Sequence, residues 1–157
     1  MKKILFAFFI ICLLSACSKD KCDYNECAIV APTTEIQNLK DYLTANNITA
    51  TQHCSGIFYV VNDAGNGDWP TACDQVTVRY KGTLTNGTVF DQTQGNATTN
   101  FRLNELIPGF TNGTIQIKSG GKVTIYIPPS LGYGSRQAGT IPPNSNLIFT
   151  VELVDIQ

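Results

Sequence analysis

Apolar and polar positions alternate over much of the second half of the chain, and this period predicts β-strands. Val76, Val78 and Tyr80 share one face of such a run, as a half-buried strand requires. Asn86-Gly87 lies between two runs and predicts a tight hairpin, because both residues tolerate positive φ. The stretches that read as strands are "GIFYVVN", "DQVTVRYKGTL", "GKVTIYIP" and "NLIFTVELVDI". The pattern predicts a mostly antiparallel sheet.

A helical period stands out near the N-terminus. Ile36, Leu39 and Leu43 fall on one face of a predicted helix, with Thr34 as its expected N-cap. That face packs either on its own domain, which is the commoner arrangement, or on a second copy of the chain. The stretch "ELIPGFTNGTIQIKSG" is ambiguous, because Asn112-Gly113 and the β-branched residues after it disfavour a helix.

The first residues predict an export signal. A positive "MKK" precedes an apolar run, residues 4–14, that is too short to span a membrane as a helix. The run ends in "LSAC", which resembles the lipobox of bacterial lipoproteins, in which the cysteine, here Cys17, is lipidated. An ordinary secretory signal is the alternative. The lipid would hold the mature protein on a membrane surface, since nothing later in the sequence is apolar enough to span one.

Four of the six cysteines remain beyond the signal and Cys17: Cys22, Cys27, Cys54 and Cys73. An even number in an oxidising compartment predicts two disulfides. The sequence does not choose among the three possible pairings. We favour Cys22–Cys54 with Cys27–Cys73, because a Cys22–Cys27 bridge would constrain only a short loop. A metal site at His53 and Cys54 is disfavoured, because the other cysteines lack a regular ligand spacing.

Composition narrows the classes of function. With 157 residues, 43% hydrophobic and 15% charged, the chain is long enough for one globular domain. A net charge of -1, with no basic cluster beyond the first residues, argues against a nucleic-acid partner. No histidine-paired nucleophile, phosphate loop, zinc spacing or dinucleotide motif is present, so no metal or cofactor is expected. Scattered aromatic residues with a few hydroxyls and one acid suit an apolar pocket with polar anchors.

Four motifs occur in an order that resembles the FKBP-type peptidyl-prolyl cis–trans isomerases: "VTVRYKGTLTNGTVFDQT", "FRLNELIPGF", "IPPSLGYGSR" and "IPPNSNLIFTVELVDI". The resemblance covers about residues 76–156. It implies an α+β, FKBP-like fold, a twisted antiparallel β-sheet wrapped around a short helix after Pro108, here with an extra N-terminal helix. The expected segments are a signal peptide (1–16), a lipidated cysteine and mobile tether (17–31), a helical extension (32–55) and the isomerase domain (56–157).

The resemblance also implies a site. Its expected catalytic residues are Tyr80, Phe90, Asp91 and Tyr133, and its expected substrate-binding residues are Leu106, Ile107, Phe110, Ile141 and Phe149. The Ile107 N–H and the Tyr133 hydroxyl would bind substrate carbonyls. Asp91 would face the twisted carbonyl or orient Tyr80 by a hydrogen bond. Because rotation about an Xaa-Pro bond transfers no proton, a lone acid in an apolar wall suits this role.

Three departures from the family pattern affect this pocket. Phe110 stands where a tryptophan usually forms the floor, and the loop "QTQGNATTN" lacks the arginine that often pairs with the aspartate. Thr99 stands where another aromatic often lies, which predicts a shallower and more polar pocket on that side. These changes weigh more against tight binding of macrolide inhibitors than against activity.

The expected function is a monomeric, envelope-anchored prolyl isomerase that assists the folding of exported proteins. Its expected partners are proline-containing segments, macrolide inhibitors and, through the lipid, a membrane. The outer membrane is the favoured one, with the domain in the periplasm or at the cell surface. The alternative is a module that binds proline-containing segments as a chaperone or adaptor with little turnover. A purely structural lipoprotein is the least favoured interpretation.

Overall fold

The computed structural model describes residues 22–157, whose seven strands form one antiparallel sheet in the order β1-β2-β6-β7-β3-β4, with β5 also paired to β3. The strands are β1 Thr51–Gln52, β2 Phe58–Asp63, β3 Gln75–Leu84, β4 Val89–Gln92, β5 Thr99–Arg102, β6 Lys122–Ile127 and β7 Leu147–Ile156. The helices are α1 Thr33–Ala45 and α2 Pro108–Thr114, with 3₁₀ turns at Leu103–Glu105 and Pro129–Leu131. In this part of the chain no helix has the length and apolar character needed to cross a bilayer.

The predicted signal peptide and the predicted lipidation site at Cys17 lie outside the described residues, and both stay predictions. The strands and the FKBP-like fold expected from the sequence are confirmed.

Strand β3 organises the sheet. It pairs with β7 from Val76↔Ile156 to Leu84↔Leu147, while its other edge is shared between β5 and β4. The predicted hairpin is present, but only Gly87 takes a positive φ, at 86°. The Leu84 amide donates to the Thr88 carbonyl at 2.9 Å and closes a three-residue loop, 85–87, instead of the expected two-residue turn. Within the loop the Gly87 amide donates to the Leu84 carbonyl, also at 2.9 Å.

Helix α2 forms where local propensity disfavours it, and the low-propensity residues explain why. A Cβ on Gly113 would lie 2.5 Å from the side chain of Ile125 on β6, so only glycine allows this close approach. Gly109 approaches Ile127 in the same way. The side chain of Asn112 is buried, and both its oxygen and its nitrogen form hydrogen bonds to the N-terminal segment. Tertiary contacts therefore outweigh propensity here.

Helix α1 packs on its own domain, covering the outer face of the sheet. Its buried residues Leu39 and Leu43 pack against Phe58 and Tyr126, which are cross-strand partners on β2 and β6. The helix and the sheet thereby share a second core cluster, separate from the main core beneath α2.

The predicted cap of α1 is wrong. The helix begins at Thr33 after Pro32, and no side chain caps it. The amides of Glu35 and Ile36 donate to the Pro32 carbonyl at 3.0 and 3.1 Å, so Thr34 already lies inside the first turn and is not the N-cap.

The favoured disulfide pairing is also wrong: the bridges are Cys22–Cys73 and Cys27–Cys54. Loop length could not distinguish the two long-range arrangements, because both close long loops. The path of the segment decides between them. Asn112 donates a hydrogen bond to the Glu26 carbonyl, and the Glu26 carboxylate meets His53 Nε2 at 3.1 Å. These contacts place the next residue, Cys27, beside Cys54.

The prediction of a mobile tether is wrong for residues 22–31, and its earlier part lies outside the described residues. From Cys22 to Ala31 the chain is tied to the domain by both disulfides and by a hydrogen bond of 2.8 Å from the Ala31 amide to the Ser55 carbonyl. We call residues 22–31 the stapled segment.

Replacing Gly113 with alanine tests the packing of α2. On an exposed helix the change would add up to about 1 kcal/mol of stability. Here we expect a loss of about 1–3 kcal/mol, because the new methyl group overlaps Ile125. Urea denaturation followed by circular dichroism measures the difference. Asn38→Ala, at an exposed position of α1, is the control and should be neutral or slightly stabilising. A Gly113→Ala protein as stable as the parent would refute this explanation of α2.

Candidate active site

An apolar cavity of about 240 Å³ opens between β3, β7 and α2. It is lined by Tyr80, Asp91, Phe101, Leu106, Ile107, Phe110, Tyr133 and Phe149. A cavity of about 300 Å³ elsewhere on β3 includes Arg79, Lys81 and Glu152 in its lining and lacks this apolar character. The smaller, aromatic cavity is therefore the candidate site.

Phe110 forms the floor of this cavity. It is 4% exposed and projects from α2 into a ring of aromatic side chains. Its ring meets Phe149 edge-on with centroids 5.2 Å apart, and Tyr80 and Phe101 at 6.2 and 6.4 Å. Edge-to-face contacts of this kind fix the rings relative to one another, so the smaller floor is rigidly held.

Asp91 and Tyr80 form a hydrogen-bonded pair at the wall. The pairing of Gly82 with Asp91 brings β4 beside β3, and the Tyr80 hydroxyl donates to Asp91 Oδ2 at 2.6 Å. Burial, followed by the hydrogen bond and the charge of Asp91, raises the pKa of Tyr80 well above its usual range. Burial and the charge of Asp91 also raise the pKa of Tyr133. Both phenols are therefore neutral donors at physiological pH.

Phe90 and Ile141 do not line the main cavity. They line an adjacent cavity of about 230 Å³ that shares Asp91 and Tyr133 with it. The ring of Phe90 lies over Gly82, where a Cβ would come within 2.5 Å of it, and meets Phe149 at a centroid distance of 5.4 Å. Phe90 therefore packs against Phe149, which lines the main cavity, without lining that cavity itself.

Leu106 and Ile107 lie at the rim, at the start of α2. Ile107 is the N-cap residue, and Pro108 follows at the first helical position, where its fixed φ suits the helix. Among the described residues no acceptor is found for the Ile107 amide. A peptide carbonyl in the cavity would find a donor there.

The site prediction missed Phe101, which lines the cavity. The prediction of a more polar pocket on the side of Thr99 is therefore wrong. Thr99 and Phe101 are two residues apart on β5 and share a face, and Phe101 lines the cavity while Thr99 does not. The alternation in "TNFR" was the available signal. The aromatic position is thus filled by a neighbour on the same face of the strand.

The lining contains no serine, cysteine, histidine or lysine. His53 lies away from it, beside the stapled segment, where Ser55 Oγ is 2.9 Å from its Nδ1. The side chains of Cys27, His53 and Cys54 lie within 4.8 Å of one another, but the two sulfurs are joined in a disulfide and offer no thiolate to a metal. The cavity is equipped to bind an apolar group and to orient a carbonyl beside it.

An aromatic pocket between a twisted sheet and a short helix, with one carboxylate and two phenols at its edge, is the kind of site that binds a small apolar group beside a polar one. Residues 67–154 match the family described as FKBP-type peptidyl-prolyl cis-trans isomerase, and the chain belongs to this family.

Curated members of the family share this domain. The chain is 48% identical over 105 residues to the FKBP-type peptidyl-prolyl cis-trans isomerase FkpA of Escherichia coli, a match that covers 66% of this chain and 38% of the relative. For FkpA of Aeromonas hydrophila the identity is 42% over 124 residues, covering 75% and 45%. The chain therefore spans less than half the length of these relatives.

Solved structures agree with the fold. The crystal structure of FkpA from Escherichia coli aligns with a TM-score of 0.71 and 39% identity, covering 80% of this chain and 60% of the other. A peptidyl-prolyl cis-trans isomerase from Pseudomonas syringae aligns with a TM-score of 0.69 and 30% identity, covering 81% and 97%.

Removing the charge of Asp91 tests the electrostatics of the wall. In Asp91→Asn the pKa of Tyr80 should fall, yet stay above the usual value of about 10, because burial is its largest cause. NMR titration of ring-labelled tyrosine, assigned with Tyr80→Phe, measures it. An unchanged pKa would show that the pair does not interact.

The raised pKa of Tyr80 also makes the stability of the protein depend on pH. As pH rises past about 10 the unfolded chain releases the Tyr80 proton and the folded chain keeps it, so the free energy of unfolding should fall only above that pH. Tyr80→Phe should make this fall less steep.

Proposed function

We propose that this protein is a peptidyl-prolyl cis–trans isomerase that acts on Xaa-Pro bonds in exported polypeptides. The observation that carries the proposal is the Tyr80–Asp91 pair at the edge of an aromatic cavity whose lining includes no serine, cysteine, histidine or lysine. Rotation about a peptide bond transfers no proton and forms no covalent intermediate, so a single carboxylate hydrogen-bonded to a phenol is sufficient polar equipment for it.

The barrier to rotation is amide resonance, roughly 18–20 kcal/mol. In the twisted transition state this resonance is lost, and the carbonyl becomes less polar and less strongly hydrated than in the planar amide. A dry pocket floored by Phe110 and walled by Phe149 favours the twisted form. Each ~1.4 kcal/mol by which the pocket stabilises the twisted form more than the planar form accelerates isomerisation tenfold.

Polar groups at the rim orient the peptide. The Ile107 amide and the Tyr133 hydroxyl donate to the carbonyls that flank proline, and Tyr133 is 41% exposed and so accessible. Asp91 acts through Tyr80: it fixes the ring and places negative charge opposite the carbon of the twisted carbonyl. The Tyr80 hydroxyl holds the Asp91 carboxylate at 2.6 Å, in a site whose loop lacks the arginine that often pairs with this acid.

The setting we propose is the bacterial cell envelope, with the monomeric protein anchored by a lipid on Cys17. The "LSAC" motif and the two disulfides support it, because disulfides persist in oxidising compartments. Uncatalysed prolyl isomerisation takes tens of seconds or more, so an isomerase there would shorten the slow step of folding. Macrolide inhibitors are proposed as ligands of the same aromatic cavity.

The test is exchange between cis and trans in a short Xaa-Pro peptide, followed by NMR exchange spectroscopy with the protein from Ser18 onward. We expect fast exchange, and a fall of about tenfold or more in Asp91→Ala, since a hydrogen bond to a charged group is lost. Tyr133→Phe should show a smaller fall.

Tyr59→Phe is the matched control, because Tyr59 lies on β2 away from the cavity lining, and its activity should equal that of the parent. If peptide resonances shift and saturate while exchange is not accelerated, the protein is a binding module for proline-containing segments and the enzyme assignment is wrong.

A further inference from the structure

A second groove begins where the aromatic cavity ends. It has a volume of about 300 Å³, and Leu106 lines both. One side is formed by the start of α2, with Pro108 and Asn112, and the other by the stapled segment, with Tyr24 and Ile29. A peptide whose proline lies on Phe110 must leave the cavity past its rim, and the Leu106 rim opens into this groove.

The stapled segment is a fixed wall. Disulfides hold it at Cys22 and Cys27. Between these two residues the Tyr24 hydroxyl donates to Asn112 Oδ1 at 2.7 Å, and Asn112 Nδ2 donates to the Glu26 carbonyl at 2.9 Å. Asn112 lies two residues after Phe110 on the same short helix. The groove and the floor of the cavity are therefore positioned by one element, and binding in both requires no rearrangement.

The groove has a definite chemistry. Asp23 and Glu26 line it, and neither its lining nor that of the aromatic cavity includes a lysine or an arginine among the described residues. Glu26 is engaged with His53 and Gln116, whereas Asp23 is exposed. Ile29, 55% exposed, adds an apolar surface. An acidic groove with one apolar patch is complementary to a basic side chain with a long aliphatic stem.

We propose that the stapled segment forms a specificity subsite, in which the groove binds residues flanking the Xaa-Pro pair of the same substrate and favours lysine or arginine there. This inference rests on the proposed isomerase function. It assigns a role to residues 22–31, which lie outside the matched family region, 67–154.

The experiment compares three peptides with one central Leu-Pro pair: a minimal blocked tetrapeptide, and extended peptides carrying either lysines or glutamates on both flanks. We expect catalysed exchange of the lysine peptide to be about three- to tenfold more efficient than that of the glutamate peptide at low salt. The preference should shrink at high ionic strength, because the groove is open to solvent.

Asp23→Asn should reduce the preference at least twofold while exchange of the minimal tetrapeptide stays unchanged. Asp155→Asn makes the same charge change at an exposed position of β7 and is the matched control, with the preference retained. Ile29→Ser should lower the efficiency of catalysed exchange of the lysine peptide and leave that of the tetrapeptide unchanged. Val61→Ser, at another exposed apolar position, should change neither.

Equal rates for the lysine and glutamate peptides, or a preference that Asp23→Asn and Asp155→Asn reduce alike, would overturn the subsite while leaving the isomerase intact. Absence of accelerated exchange with the tetrapeptide as well would contradict the isomerase function and, with it, the subsite.

Discussion

The close contact between α2 and β6 is the constraint that positions the floor and the rim of the site. Two glycines let this short helix approach Ile125 and Ile127 closely. That approach places Phe110 at the floor of the cavity and the Ile107 amide at its rim. Asn112, on the same helix, fixes the stapled segment. A helix of seven residues thus positions the pocket and its neighbouring groove.

The wall of the pocket joins a charged group to an aromatic one. The Asp91 carboxylate accepts a hydrogen bond from the hydroxyl of Tyr80, whose ring is itself part of the aromatic wall. Among the described residues, no cationic side chain forms an ion pair with Asp91. The negative charge therefore lies at the edge of an apolar cavity, where electrostatic interactions are less screened than in water.

Local sequence patterns predicted some parts of this structure and not others. Alternation predicted the main strands, because a strand with one face in the core must alternate whatever its partners are. The same rule could have indicated Phe101, which shares a face with Thr99, but the site prediction considered only the threonine. Helix α2 followed only from the family resemblance, since Asn112-Gly113 is unfavourable locally and is stabilised by contacts distant in sequence.

The disulfide pairing could not be derived for a similar reason. Cysteine spacing gives loop lengths, and loop-closure entropy changes too slowly with length to separate two long-range pairings. The pairing depends on where Glu26 meets His53 and Asn112, contacts that no local pattern records.

A crystal structure with a bound Leu-Pro peptide would show directly whether the aromatic cavity holds proline. We expect the proline ring to lie on Phe110 and a flanking carbonyl to accept a hydrogen bond from the Ile107 amide, at about 2.9 Å. The opposite edge of the peptide's Xaa-Pro bond should face the Tyr80–Asp91 pair. A peptide bound along another surface, with the aromatic cavity left empty, would contradict the proposed mechanism.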